Sequence, residues 1–280
     1  MRDICDLHTH STFSDGTCTP RQLVGLAIGA GLGAAALTDH NTVAGLAEFM
    51  DAAKNTPLEA IAGVEISTGF RGTEIHIVGL FIRPESFAQI TDFLSVMIRR
   101  KEESNLRLTE ALARDGYELD YGEIKARHKG SVNRAVIAAE LVKKGCAGSV
   151  GEAIKGLLSE EWGYYIPPER IASLDAIAFL KDIGAAPVLA HPFVSMKDAE
   201  LPAFLSEAKD AGLAAIETRY STYSPETAAR ASELARRFGL LESGGSDFHG
   251  ENKPDIKLGT GRGDLAVPMA FARKIKASLA

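Results

Sequence analysis

An α/β fold of parallel βαβ units is predicted by three observations. Short apolar runs recur along the chain, amphipathic stretches separate them, and most of the runs end on a histidine or a carboxylate. Strand–helix alternation implies parallel pairing, because parallel strands need a crossover that a helix supplies. An open doubly wound sheet and a closed barrel both satisfy the pattern.

The expected strands are residues 4–8, "AAALT" at 34–38, "AIAGVEI" at 60–66, "IHIVGLFI" at 75–82, "APVLAH" at 186–191, "AAIET" at 214–218 and "LLESGGSD" at 240–247. A helix is expected from Thr19, a side-chain cap, with Pro20 in the first turn and Gly31 or Gly33 at the end. Further helices are expected at 42–55, 174–184, 199–212 and 224–239. Between about residues 84 and 172 the alternation stops and the pattern turns helical and polar. This predicts one domain from 1–83 and 173–280, with 84–172 a helical insertion over one end of the sheet. Pro84 and "IPPER" at 166–170 are the expected joints.

Totals narrow the function. With 280 residues, 45% of them hydrophobic, the chain can bury a sizeable core. A net charge of -6 argues against a surface that attracts nucleic acid as a whole, so an anionic substrate needs locally placed positive charge. The 3 cysteines, Cys5, Cys18 and Cys146, show no CxxC spacing, which predicts free thiols and a cytoplasmic setting. No secretory signal and no apolar run of membrane length is evident. No obligate protein partner is indicated.

The chemistry lies at the run ends. His8 and His10 end the first strand in "DLHTHS", and Asp15 follows before Gly16. His40 ends the second, Glu65 the third and His191 the fifth; His76 lies within the fourth; Asp247 and His249 end the last. Taken singly, each has a plain structural explanation: a hydrogen-bonded strand-end His, a buried neutral His at 76, a turn residue at Asp15. Jointly they point to metal binding. Carboxyl ends of parallel strands converge on one rim, and imidazoles with carboxylates are the ligands of zinc, manganese and iron. Asp39 has two readings: a carboxylate that orients a ligand imidazole, or the cap of a helix beginning near Thr42.

The ordered set "DLHTHSTFSDGT", "LTDHNT", "GVEIS", "HIVGLF", "AHP" and "GSDFHG" resembles the PHP (polymerase and histidinol phosphatase) family over nearly the whole chain. Within it, the insertion and the "GGSDFHG" ending resemble small phosphoesterases acting on nucleoside 3′,5′-bisphosphates and short RNA 5′ ends. The resemblance implies a distorted seven-stranded TIM-like (β/α) barrel. It also implies up to three divalent ions, commonly manganese, with iron and zinc also suited. By position, His8, His10, Glu65 and Asp247 would surround one ion. Glu65, His76 and His191 would hold the second, and Asp15, His40 and His249 the third.

The expected activity is hydrolysis of a small nucleotide's phosphate ester by a metal-activated hydroxide, foremost the 3′-phosphate of a 3′,5′-bisphosphate, with short 5′-phosphorylated RNA also a substrate. Three divalent ions against three carboxylates and a hydroxide leave roughly +2 for the substrate. In the insertion, "RHKGSVNR" resembles a helix start suited to an uncleaved phosphate, making Arg134, with Ser131, Asn133 and His128, the expected contacts. Arg219 is a second candidate. The alternative substrate is histidinol phosphate. A non-enzymatic metal-binding module predicts missing ligands, and none is missing. An amidohydrolase predicts a strand-end lysine, and none is present.

Overall fold

The computed structural model describes residues 3–127, 132 and 134–279. The chain divides into two compact units, Met1–Asp92 with Ile171–Ala280, and Phe93–Arg170. The strands are β1 (Ile4–Asp6), β2 (Ala34–Leu37), β3 (Glu59–Phe70), β4 (Thr73–Leu80), β5 (Ile171–Ala172), β6 (Ala186–Leu189), β7 (Ala215–Tyr220), β8 (Leu241–Gly245) and β9 (Val267–Pro268). The helices are α1 (Pro20–Ala30), α2 (Leu46–Ala53), α3 (Phe87–Arg114), α4 (Tyr121–Arg127), α5 (Arg134–Lys143), α6 (Val150–Lys155), α7 (Ser173–Asp182), α8 (Pro192–Ser195), α9 (Leu201–Ala211), α10 (Pro225–Phe238) and α11 (Met269–Ala277).

The sheet runs β8-β7-β6-β4-β3-β2-β1-β9, with β5 paired to β3. Hydrogen bonds from Leu7 N–H to Gly244 O (3.1 Å) and from Asp247 N–H to His8 O (2.9 Å) join its β1 and β8 sides, so the sheet is a nearly closed barrel. That approach requires glycine. A Cβ on Gly245 would sit 2.3 Å from His8 Cβ and 2.5 Å from His8 N, closer than atoms can pack.

One strand departs from the parallel expectation. β4 pairs antiparallel with both β3 and β6. The reason is local: β3 and β4 are joined by Arg71 and Gly72 alone, both at positive φ (48° and 84°). A two-residue turn of that type joins only antiparallel neighbours. The reversal serves the site, because β4 brings its N-terminal half to the rim that parallel strands reach with their C-termini. β9 is likewise antiparallel to β1.

Along several strands a single side-chain parity carries both core and rim. Ile61, Val78, Leu80, Val188 and Ala215 belong to one buried apolar cluster. Two or four positions away on the same strands stand Glu65, His76 and Glu217. Period-two geometry thus stacks an apolar floor beneath an ionisable rim. α11 contributes Met269, Ala272 and Ile275 to the floor.

Local chemistry sets the helix ends. Thr19 caps α1, its hydroxyl accepting from Gln22 N–H while Gln22 answers with its side chain, and Gly31 closes the helix in the left-handed region (φ 89°). α2 is shorter than expected. It starts at Leu46 after Gly45, so Asp39 caps no helix. Residues Phe93–Arg170 hold their own core, built on Leu108, Leu112, Ile137, Leu141 and Leu158. Among the described residues no helix is long and apolar enough to cross a membrane.

Candidate metal centre

Six of the chain's 7 histidines meet at the rim. Their focus is Glu65, whose side chain is 0% exposed. One carboxylate oxygen, Oε1, lies 2.8 Å from His76 Nδ1 and 3.1 Å from His191 Nε2. The other, Oε2, lies 2.9 Å from His40 Nδ1 and 3.3 Å from both His8 Nε2 and His10 Nε2. Asp247 Oδ1 is 3.2 Å from His10 Nε2 and 3.4 Å from His249 Nδ1. Asp15 Oδ1 is 3.2 Å from His249 Nε2, and its Oδ2 is 3.8 Å from His40 Nε2. All nine expected ligands therefore converge.

The backbone is strained where the rim is made. Asn41 (φ 53°), His191 (φ 28°) and Asp247 (φ 56°) follow β2, β6 and β8, each in the left-handed region that non-glycine residues avoid. Each is pinned through its N–H: Asn41 to Glu65 O (2.8 Å), Asp247 to His8 O (2.9 Å), His191 to the Glu217 carboxylate (2.7 Å).

Electrostatics show what the cluster wants. Burial opposes charge on its members, yet neighbours reverse it in most. Against burial, Glu65 and Glu217 hold His8 well above the usual imidazole range. Glu65 likewise lifts His40, and it lifts His76 to about 10. Burial wins at His10, which falls to about 3. Despite burial, His8, His40 and His76 keep the Glu65 carboxyl well below its ordinary value. Against the same burial, His10 and His8 do so for Asp247, and His249 and His40 for Asp15. The carboxylates are ionised and demand positive charge beside them.

Protons do not meet that demand well. His8 Nε2, both ring nitrogens of His10, His40 Nδ1 and Glu65 Oε2 are buried with no hydrogen-bond partner. Buried polar atoms are rarely left so. Cations among them would give these atoms partners that the protein alone does not supply. Four sets of donors have ligand atoms within 4.8 Å of one another: His10, Asp15, His40 and His249; His8, Glu65 and His191; His8, His10 and Asp247; His40, Glu65 and His76. The residues present fit divalent ions with nitrogen and oxygen ligands.

The surrounding residues include some that sequence reasoning missed. Glu217 Oε1 accepts from His8 Nδ1 at 2.9 Å, and a carboxylate can only accept, so Nδ1 carries a proton and the neutral ring would offer Nε2 to a cation. Tyr220 OH and Lys253 Nζ donate to Asp247 Oδ2, at 2.8 and 2.7 Å. Glu217 was findable, since it shares the inward parity of β7 with Ala215. Lys253 gave no signal, because it lies in irregular chain.

Asp39 plays neither role expected of it. Its carboxylate accepts from Ser11 N–H (2.7 Å), Ser11 OH (2.6 Å) and Ser14 OH (2.6 Å), which shapes the loop carrying Asp15. Arg219 is not brought into the cluster. A bulge in β7 between Glu217 and Arg219 turns its guanidinium to Ser232 (3.1 Å) and toward Glu242 (3.9 Å). Arg134 lies over the Tyr165 ring (4.3 Å) and donates to Leu158 O (3.4 Å). His128, Ser131 and Asn133 lie outside the described residues.

Comparison with known proteins adds a family. The PHP domain matches residues 6–161. The 5′-3′ exoribonuclease Rnm of Escherichia coli is 34% identical over 261 residues, 91% of this chain and 88% of that protein. The 3′,5′-nucleoside bisphosphate phosphatase of Chromobacterium violaceum is 28% identical over 263 residues, 90% of each chain. Among solved structures, a Bifidobacterium adolescentis protein described as a metal-dependent phosphoesterase superposes with a TM-score of 0.75 and 28% identity, covering 98% of this chain and 95% of its own.

Proposed function

The chain belongs to the PHP family of metal-dependent phosphoesterases, and from that premise we propose that it hydrolyses the 3′-phosphoryl group of a 5′-phosphorylated nucleotide. The two kinds of relative suggest this common denominator. One relative is named a 3′,5′-nucleoside bisphosphate phosphatase and another a 5′-3′ exoribonuclease. In this reading a single ester position serves both kinds of substrate, the 3′-phosphoryl group, with hydrogen or RNA on the far side of the phosphorus. One observation carries the reading: a fully buried carboxylate, Glu65, ringed by five imidazoles, of which His8, His10 and His40 leave buried ring nitrogens without a hydrogen-bond partner.

His8, His10, Asp15, His40, Glu65, His76, His191, Asp247 and His249 hold the ions in this reading, and manganese is the ion proposed. Bound divalent ions supply positive charge against the phosphoryl oxygens and a water acidic enough to attack near neutral pH. The protein's own part is positional. Glu217 fixes the His8 tautomer and, through His191 N–H, the strained turn after β6. Lys253 and Tyr220 hold Asp247 so that Oδ1 faces the cluster. Arg134 is assigned to the uncleaved 5′-phosphate, as a planar bidentate donor. The three unpaired cysteines suit a cytoplasmic setting.

The test is hydrolysis by manganese-loaded protein of a 3′,5′-bisphosphate, a 5′-monophosphate, histidinol phosphate and a short 5′-phosphorylated RNA. Turnover confined to the first and last is expected. Preference for histidinol phosphate, or no turnover of any, overturns the reading.

A further inference from the structure

Beside the metal centre, on the Met1–Asp92 and Ile171–Ala280 unit, lies a cavity of about 250 Å³. Its wall includes Tyr220, Asp247, Lys253, Asp255 and Arg262. Two of these belong to the centre's surroundings as well. Asp247 turns Oδ1 to the imidazoles and Oδ2 to Tyr220 and Lys253, so a single carboxylate separates the cluster from the cavity. A group held in the cavity is therefore one residue's width from the histidine cluster.

The cavity's wall carries two cations, Lys253 and Arg262, and two carboxylates, Asp247 and Asp255. Asp247 points its Oδ1 toward His10 and His249. Its Oδ2 is occupied by two donors. Exposed Asp255 lines the same wall as Arg262, while Lys253 is paired with Asp247. Among the described residues, Arg262 has no carboxylate partner. The space is below the 300–1,000 Å³ or so of a pocket that engulfs a whole drug-sized ligand. It suits one compact anionic group at the end of a larger molecule.

We propose that this cavity is a phosphate subsite, where Arg262 and Lys253 hold a phosphate of the substrate other than the one hydrolysed. The inference rests on the nucleotide reading above. The phosphate has two possible sources, the 5′-phosphate of the attacked nucleotide and the next phosphodiester of an RNA. Arg134 stands in the other compact unit. If it takes the 5′-phosphate, the cavity serves the diester, and the substrate carries more phosphates than a bisphosphate has.

The experiment compares wild type with Arg262→Ala on a nucleoside 3′-monophosphate, a 3′,5′-bisphosphate and a 5′-phosphorylated trinucleotide. The readout is kcat/KM for each longer substrate divided by that for the monophosphate. A fall of about tenfold in one or both ratios is expected, as for a lost charged contact, with most of it restored in Arg262→Lys. A fall for both assigns the 5′-phosphate, and a fall for the trinucleotide alone assigns the diester. Ratios unchanged within about twofold overturn the subsite. Should wild type hydrolyse none of the three, the nucleotide reading fails separately. The subsite is then read by fluorescence anisotropy of a labelled 5′-phosphorylated trinucleotide, which Arg262→Glu must bind about tenfold more weakly than wild type; equal binding overturns it.

Discussion

The two ends of the barrel are built on the same strands and by the same alternation, yet they do opposite work. At the floor, Ile61, Val78 and Ala215 pack with one another and with α11, and nothing there carries charge. At the rim, Glu65, His76 and Glu217 occupy the same parity, and Glu65 Oε2 with nitrogens of His8, His10 and His40 is buried without a hydrogen-bond partner. The floor holds the fold by removing apolar surface from water. The rim stores unsatisfied electrostatics, which the floor must be stable enough to tolerate. Stability and chemistry are thus separable along a single strand, only four residues apart in β3.

That separation can be broken deliberately. The largest effect is expected from Glu65→Gln, which removes the charge shared by five imidazoles. Activity should fall by at least about a thousandfold, in line with losing a group that organises the reacting centre. Metal content measured on the purified variant should fall with it, while the circular dichroism of the folded chain stays unchanged. Retained metal and retained turnover would show that the rim does not converge on Glu65.

Ile61→Ala attacks the opposite end of the same strand. A cavity in the floor should cost about 3 kcal/mol, seen as a lower denaturation midpoint in urea. kcat should stay within about twofold of wild type at a temperature where the variant is folded. A large loss of kcat there would mean that floor and rim are not independent.

Gly245→Ala sits where the two ends are tied. Its Cβ has no room beside His8, so β8 must withdraw from β1. A destabilisation of about 2 kcal/mol is expected from the overpacking. Unlike Ile61→Ala, it should also weaken metal binding, because His8 moves with its backbone. Titration calorimetry with manganese on both variants sharpens the contrast.

The smallest effect belongs to Glu217→Gln. The amide can still accept from His8, but it is uncharged and no longer strengthens that ligand. Affinity for the ion should fall about 10- to 100-fold with little change in Tm of the metal-free protein. An unaltered titration curve would limit Glu217 to its structural bond with His191 N–H.

What was legible in the sequence follows from periodicity. Strand-end imidazoles in "DLHTHS", "LTDHNT" and "GSDFHG" declared a rim because parallel strands aim their C-termini one way. His76 seemed out of place inside an apolar run. Its position makes sense once the two-residue turn Arg71–Gly72 reverses β4. That turn was itself readable, since eight residues between the expected third and fourth strands leave no room for a helical crossover. Arg219 lies outside the cluster, after a bulge in β7 that changes which side chains face inward, and bulges leave no periodic trace.

By itself, then, the order of residues determined which elements form, which parity is buried and which side chains have the chemistry of ligands. These depend on near neighbours, through caps, turns and alternation. Only the tertiary structure decided that nine candidate ligands from seven strand ends and loops share one cluster, that Glu217 hydrogen-bonds His8, and that Lys253 and Arg262 line a cavity beside Asp247. Those contacts join residues up to hundreds of positions apart, and their geometry comes from barrel closure, which no local pattern encodes.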